Sequence, residues 1–490
     1  MNFLNYLPLA MVVFPVLACL AIALGAPVRK TALATVVLNL ALVLVVACFI
    51  PHTQGYHFVT SFPCISLPNF FEINLTLGVD GLSLAMILLT AVVSVAAVAV
   101  SPLNVRREAE FYICVLLISC GAMGAFLSLD LFFLYVFHEV ALIPTFLLIG
   151  IWGGQDRKFA ATQMTIYLAA GSLILLVGIL GFYFALPEGA RSMDLRVIHE
   201  ILSSGRIPVV MQNIIYPLLI MGFGILISLF PFHHWAPAGY AAAPAPAAML
   251  HAGVLKKFGL YGLLRLVVPY LPEGAQTFGN ILLILLLVNI LYIGLVTVAQ
   301  KELNLMLGFS SVMHMGYIFL GLASGTPIGL TGAVILMVSH GLSAALLFGL
   351  ASVIREKTGT TLLKDMGGLA IKAPMLAFLF ITGALASMGT PGLGNFAGEV
   401  LIFFGAWKVH PWTTFFAIWG IVISAVYYLR AVRSIFFGEL KTYPTEVKDF
   451  KGLAETWPYV LLVGMLVAIG IYPAWLIKWI EPSINLITNL

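Results

Sequence analysis

Charge is what this sequence has least of. Aspartate, glutamate, lysine and arginine make up 9% of 490 residues, hydrophobic residues make up 61%, and the mean hydropathy is +1.07. Soluble domains carry about 25% charged residues, so a soluble globular protein is excluded and a polytopic membrane protein is implied. The net charge of +4 is small. No basic run or basic amphipathic face stands outside the connections, so nucleic acid is not expected as a partner. Cysteine is scarce too. Cys19, Cys48, Cys64, Cys114 and Cys120 lie mostly in apolar runs without CxxC spacing, which indicates small core residues and neither a disulfide framework nor a metal site. Also missing are a nucleophilic triad, a phosphate-cradling glycine loop and a nucleotide fingerprint, so movement of charge is expected rather than bond chemistry. The first apolar run, Tyr6 to Ala26, lacks a basic leader and is followed at once by a second, which reads as a retained helix rather than a cleaved signal.

What the chain has is long apolar runs. Those near ~20 residues, the length that crosses a bilayer as a helix, number about fourteen. They fall at 5-25, 31-50, 80-100, 110-128, 130-150, 160-185, 212-230, 243-268, 276-300, 303-324, 327-354, 374-406, 412-436 and 457-480. Odd-numbered connections hold sixteen lysines and arginines, among them Arg29, Lys30, Arg106, Arg107, Arg355 and Lys448. Even-numbered ones hold five: Arg191, Arg196, Arg206, Arg265 and Lys408. By the positive-inside rule the odd connections face the cytoplasm. A multi-pass protein of the inner (cytoplasmic) membrane is expected, with both termini on the non-cytoplasmic side. The connections 51-79 and 186-211 read as extramembrane loops, the second with a short amphipathic helix around Leu195 to Leu202.

Two spans carry a break. Span seven runs into Phe230-Pro-Phe-His-His-Trp-Ala-Pro237, and span twelve is interrupted at Gly389-Thr-Pro-Gly-Leu-Gly394; Pro231 and Pro391 are 160 residues apart. Paired, interrupted helices in matching positions of two repeats point to a transport site, because frayed helix ends expose backbone dipoles to an ion path. Proline kinking a packed helix is the plain alternative. The expected fold is all-α, about fourteen transmembrane helices, with two inverted five-helix repeats whose helices 7 and 12 are broken. Residues 1-100 form an N-terminal three-helix segment, 110-268 and 275-436 the two repeats, and 437-490 a C-terminal loop and helix.

Ionisable residues inside the spans are few: Glu139, Lys256, Lys257, Glu399 and histidines 138, 233, 234, 251, 314 and 340. Each buried charge costs about 2.5–3.5 kcal/mol on insertion scales, which makes such groups functional-site candidates. Desolvation and neighbouring charge together set the proton affinity of a buried carboxylate, so moving a lysine toward or away from Glu139 can switch it. Lys256 and Lys257 point about 100° apart on a helix and cannot share one partner. One is expected to face an interior path, the other to snorkel or meet a neighbouring subunit. Glu399, just beyond the second break, is placed to exchange protons with water, or to anchor helices. His314 and His340 read equally as relay or packing groups taken singly, and their place between the lysines and Glu399 in chain order favours relay. His233, His234 and His251 cluster near the first break, and His138 is the weakest candidate. Asp80, Asp130 and Arg265 lie near span ends, where capping or snorkelling accounts for them.

Tyr135-Val-Phe-His-Glu-Val-Ala-Leu-Ile-Pro-Thr-Phe-Leu-Leu-Ile-Gly-Ile-Trp-Gly-Gly154, the Phe230-Pro-Phe-His block and Ala252-Gly-Val-Leu-Lys-Lys-Phe-Gly-Leu-Tyr-Gly-Leu-Leu-Arg265 have a familiar pattern. With Gln300-Lys-Glu-Leu303, Ser310-Ser-Val-Met-His-Met-Gly316, Ser339-His-Gly-Leu342 and the segment from Pro391 to Glu399, it resembles the chain M (mitochondrial chain 4) family of antiporter-like subunits in proton-translocating NADH-quinone oxidoreductase, complex I. The resemblance covers about 80 to 480, and the family is similar to subunits of cation/proton antiporters and membrane hydrogenases. It implies a translocase subunit in the membrane arm, driven by quinone reduction elsewhere. Neighbours would be the antiporter-like chains L and N and chain K. NAD, FMN, iron-sulfur clusters and quinone would lie in other subunits and none in this chain. Glu139 then matches the family's essential glutamate, Lys257 its central lysine, Glu399 its exit acid, and His314 and His340 its relay histidines.

The chain departs from that pattern at Leu226, five residues before Pro231, where the family has the lysine that pairs with the glutamate. The acid and histidine usual after Trp-x-Pro are replaced by Ala238-Gly-Tyr240. Lys256 and His234 stand where apolar or hydroxyl residues are commoner. Lys256, His233 or His234 are therefore expected as substitute partners of Glu139. Two rivals follow: a secondary cation/proton antiporter subunit, and a structural copy with weakened pumping.

Overall fold

The computed structural model describes residues 3–67, 71–444 and 446–489. Among them, twelve helices are long and apolar enough to cross a membrane, from Leu4–Ala23 to Leu453–Ile471. Two further runs are assembled from shorter pieces. Residues 245–270 comprise Ala245–Leu250, a π-helical turn His251–Leu255, Lys256–Gly262, a second π-helical turn Leu263–Val267, and Val268–Tyr270. Residues 374–407 comprise Pro374–Ser387 and Gly394–Trp407. Each apolar run read from the sequence thus has a helical counterpart. The last is shorter than expected: it ends at Ile471, because the residue before Pro473 is steered out of helical geometry, and a separate helix Ala474–Thr488 follows.

The connection 51-79 is not a plain loop, and the fold is not wholly helical. Strands His57–Leu67 and Phe71–Val79 pair antiparallel. Alternation in the second strand, with Ile73, Leu75, Leu77 and Val79 separated by Asn74, Thr76 and Gly78, is the period-2 pattern of a half-buried strand. The amphipathic helix expected around Leu195 to Leu202 is present as Leu195–Ser204.

Three helices form the centre. The apolar windows of Pro327–Thr358, Gly81–Ala99 and Leu303–Ala323 are 100%, 94% and 89% buried inside the chain, against 33% for Val28–Phe49 and Leu453–Ile471 at the periphery. Apolar sequence on every side suits the central helices to this position. Glycines set the closest approach: a Cβ at Gly398 would fall 2.7 Å from the Leu336 amide, and one at Gly332 2.6 Å from the Ile402 amide. Small residues let the Gly394–Trp407 backbone lie directly on Pro327–Thr358, which fixes the position of Glu399.

The connections sort between the two ends of the bundle. One end holds a cavity of about 1190 Å³ whose wall includes Arg29, Asn104, Gly154, Arg355 and Lys448, all from odd-numbered connections or their edges. The other end joins even-numbered ones through the bridges Leu77–Ser128 and Asp130–Asp194, and there Thr488 near the C-terminus shares a cavity with Arg206, Glu273 and Gly325.

Both breaks have the same backbone geometry. Val209–Ile227 ends at Ser228 (φ 69°), where Ser228 N bonds Ile225 O and Leu229 N bonds Gly224 O. Pro374–Ser387 ends at Gly389 (φ 72°), where Gly389 N bonds Ala386 O and Thr390 N bonds Leu385 O. Each is a left-handed C-terminal cap. The groups freed by each break are taken by side chains of neighbouring helices. Asn289 accepts from Phe230 N at 2.8 Å, and His314 Nε2 meets Ser387 O at 2.7 Å.

Asp80 and Arg265 differ from expectation in one respect. Asp80 does cap Gly81–Ala99, in a capping box with Ser83. Arg265, however, does not snorkel to water. It is 4% exposed and forks onto Asp80 with Nη1–Oδ2 2.7 Å and Nη2–Oδ1 2.5 Å. Asp130 caps Leu131–Trp152 through the amides of Phe132 and Phe133, as read.

Candidate functional site

The lysine pair follows directly on the π-helical turn His251–Leu255. Such turns widen a helix by one residue and recur at functional sites. Here Lys257 Nζ reaches back to donate to Ala252 O at 2.5 Å and lies 3.1 Å from Nδ1 of His340. Lys256 leaves the helix in another direction, donating to Ser311 Oγ at 3.3 Å, with its amine 5.5 Å from the centre of the Tyr240 ring. Both are buried, at 1% and 0% exposure. The expectation that one of them would snorkel or meet a neighbouring subunit is overturned: both face polar groups inside this chain.

From His340 the polar run continues to His314, whose ring centre is 5.3 Å away. His314 Nδ1 is 2.7 Å from Ser310 O and Nε2 is 2.7 Å from Ser387 O. A neutral imidazole donates through one nitrogen only, whereas the doubly protonated ring donates to both carbonyls. Two carbonyl acceptors thus face a ring that, when neutral, satisfies only one of them. Ser310 Oγ bonds the hydroxyls of Tyr427 at 2.8 Å and Tyr428 at 2.9 Å, which extends the polar cluster.

Glu399 is 2% exposed and sits on Gly394–Trp407 with its carboxylate against the turn of the second break. A Cβ at Gly389 would clash with its Oε2. With φ +72° as well, only glycine fits there without displacing the acid.

Glu139 stands apart from this run. Its side chain is 30% exposed and lies 3.4 Å from His138 Nδ1, and its carboxylate accepts from the Ser172 hydroxyl. His138 in turn stacks on Phe258, with ring centres 4.2 Å apart, and Phe258 is next to Lys257 in sequence. None of the substitute partners expected for Glu139 is its partner. Lys256 is engaged with Ser311. His233 is stacked between Phe230 and His234, at 5.6 Å and 4.1 Å. His234 is exposed on the surface of the chain. The physical reason is direction: the Lys256 amine goes to Ser311 of Leu303–Ala323, not to a group of Leu131–Trp152. Leu226 is buried and brings no charge to the site.

The structure thus joins Lys256, Lys257, His340 and His314 with the second break, sets Glu399 at that break, and leaves His233 and His234 at the first break, outside the run. Residues that the sequence did not single out include Ser172 and Ser311; His251, singled out beside the first break, has Tyr240 as its partner, 3.2 Å away, and His138, ranked last among the histidines, is the one beside Glu139. Serines and tyrosines are common in helices, so only three-dimensional proximity distinguishes these. Arg265–Asp80 had a visible signal in its two charges, which capping and snorkelling accounted for too readily.

The family model described as NADH:quinone oxidoreductase/Mrp antiporter, TM, matches residues 128–424. The chain is 34% identical over 399 residues to "NADH-quinone oxidoreductase subunit M" of Rickettsia prowazekii (strain Madrid E), covering 81% of this chain and 80% of that protein. It is 35% identical over 429 residues to "NAD(P)H-quinone oxidoreductase chain 4 2" of Microcystis aeruginosa (strain NIES-843 / IAM M-2473), covering 81% and 76%. Among solved structures, "Respiratory complex I from Thermus thermophilus with bound NADH" contains a chain that superposes with a TM-score of 0.88 at 30% identity, covering 99% of both chains.

Proposed function

Since the chain belongs to the NADH:quinone oxidoreductase/Mrp antiporter transmembrane family, we propose that it is the proton-translocating, antiporter-like subunit M of an NADH-quinone oxidoreductase. The observation that carries the reading is the buried run Lys257–His340–His314, which ends on the carbonyl freed by the broken helix. Lys257 holds a proton in the middle of the chain, His340 and His314 pass it, and Glu399 receives it at the second break. Glu139, held by Ser172 and His138 at the flank, is the group through which a neighbouring subunit biases Lys257. Moving one charge against the membrane potential takes about 2.3 kcal/mol per 100 mV, and a change of charge beside a desolvated carboxylate or lysine supplies energy of that order.

In this reading the chain acts as a translocase subunit without a redox centre of its own; NAD, FMN, iron-sulfur clusters and quinone belong to other subunits. Its neighbours are the antiporter-like chains L and N and chain K, and its apolar outer surface, with Trp412 and Phe404 exposed, faces lipid. The bundle end rich in lysine and arginine lies on the cytoplasmic side, so both termini are non-cytoplasmic. The matching breaks favour a five-helix unit used twice, 110-268 and 275-436, between an N-terminal segment 1-100 and a C-terminal 437-490.

A second reading, a subunit of a cation/proton antiporter, is favoured by the family description itself. Inverted membrane vesicles separate the two. Proton uptake that needs NADH and stops when quinone reduction is blocked supports the first. Proton movement driven by a cation gradient alone, without NADH, supports the second.

A further inference from the structure

Lys256 is a second fully buried lysine, and the run through Lys257 does not use it. Its amine reaches Ser311 Oγ at 3.3 Å and packs over the Tyr240 ring at 5.5 Å. Tyr240 in turn carries its hydroxyl 3.2 Å from His251 Nδ1. A buried ammonium held by a single hydroxyl and a ring face is incompletely paired, and such a group is retained at a cost. Beside Ser311 lies a cavity of about 10 Å³, close to the smallest space that holds one water, which also needs two to four polar partners. Its wall supplies them: Ser310, Ser311, His340, Ser387 and Tyr428. The same pocket therefore touches the partner of Lys256 and the partner of Lys257.

We propose that Lys256 and Ser311 form a second proton-loading arm, which meets the Lys257 arm at His340 through one water bound in this cavity. The proposal rests on the proton-translocating reading above. The step balances as a single proton transfer. The Lys256 ammonium gives a proton to the Ser311 oxygen as that hydroxyl releases its own to the water, and the water gives one to the His340 ring. Lys256 is left as a neutral amine, and one positive charge has moved to His340, whose Nδ1 already faces Lys257. Two lysines that feed one imidazole cannot both discharge at once, because the second positive charge would enter a site already occupied by the first. Loading through Lys256 and loading through Lys257 therefore alternate. The arm supplies a second buried cation in a chain whose position 226 is leucine.

The test is NADH-driven proton uptake per NADH oxidised, in inverted vesicles holding the assembled complex with Lys256→Met, Ser311→Ala, Ser311→Thr, the double variant Lys256→Met/Ser311→Ala, or Lys257→Ala. The expected result is a partial loss, equal in Lys256→Met, Ser311→Ala and the double variant, with Ser311→Thr restored by its hydroxyl and Lys257→Ala, which leaves only the Lys256 arm, losing more than any of them. Full uptake in Ser311→Ala, failure of Ser311→Thr to restore it, or a double variant lower than either single one overturns the arm. If Lys256→Met does not assemble, the Ser311 pair decides alone. Full uptake in Lys257→Ala instead overturns the reading beneath it.

Discussion

The amine of Lys257 lies 3.1 Å from Nδ1 of His340, so the two groups meet as donor and acceptor of a single proton. With Nζ also donating to Ala252 O, the lysine is aimed by the π-helical turn that precedes it. A lysine in this position is a switchable proton holder between two helices. Changing the turn should disturb it without touching its charge.

His340→Gln is therefore expected to keep the complex assembled and quinone reduction intact while proton uptake per NADH falls. Glutamine preserves a hydrogen bond to Lys257 but holds no exchangeable ring proton. Uptake measured in inverted vesicles, alongside NADH oxidation, checks this; unchanged uptake would return His340 to a packing role.

Gly389→Ala should lower proton uptake by displacing the Glu399 carboxylate, since the new Cβ clashes with Oε2 and the backbone is left-handed. The strain alone is of the order of 1–3 kcal/mol, so the thermal midpoint should drop as well. Gly392, also left-handed at φ +88° but with open space around it, gives the control: Gly392→Ala should carry the strain and leave uptake per NADH unchanged.

Arg265→Met removes the cation from a buried carboxylate, and breaking a buried pair in this way costs about 3–5 kcal/mol. The expected outcome is poor assembly and a lower thermal midpoint. Asp80→Asn/Arg265→Met should recover part of the loss, because no unpaired charge is left buried. Equal stability of the single and double variants would mean that the pair does not tie Gly81–Ala99 to the end of the lysine-bearing run.

Much of this was legible in the sequence. Apolar runs, breaks at Pro231 and Pro391, and charges isolated in apolar surroundings follow from composition and spacing. The paired strands His57–Leu67 and Phe71–Val79 were legible as well, in the alternation of Ile73, Leu75, Leu77 and Val79, but a short strand pattern is quiet beside long apolar runs. Partners were the least legible. Whether Lys256 turns toward Glu139 or toward Ser311 depends on a helix rotation, and the π-helical turn His251–Leu255 shifts that rotation by one residue. Likewise His138 looked dispensable because its role depends on a ring stacked across helices on Phe258.

Burial pushes the carboxyl of Glu302, in the turn before Leu303–Ala323, above the usual glutamate range, against the opposing effects of a hydrogen bond from Thr361 and the charge of Arg355. A carboxyl raised in the folded state binds its proton more tightly there than in the unfolded chain. Stability should then fall as pH rises from about 4.3, the usual glutamate value, to the higher folded value, and stay level above it. Glu302→Gln should flatten that slope in thermal midpoints of the detergent-solubilised complex between mildly acidic and neutral pH. A slope unchanged by the substitution would assign it to other groups.

The most direct test of the account is NADH-driven proton uptake in inverted membrane vesicles containing the assembled complex with Glu139→Gln or Lys257→Ala. Each variant is predicted to oxidise NADH while taking up fewer protons per NADH than the unaltered complex, with Lys257→Ala the more severe. Unaltered uptake in both variants, in complex shown to be assembled, would contradict a proton path through this chain.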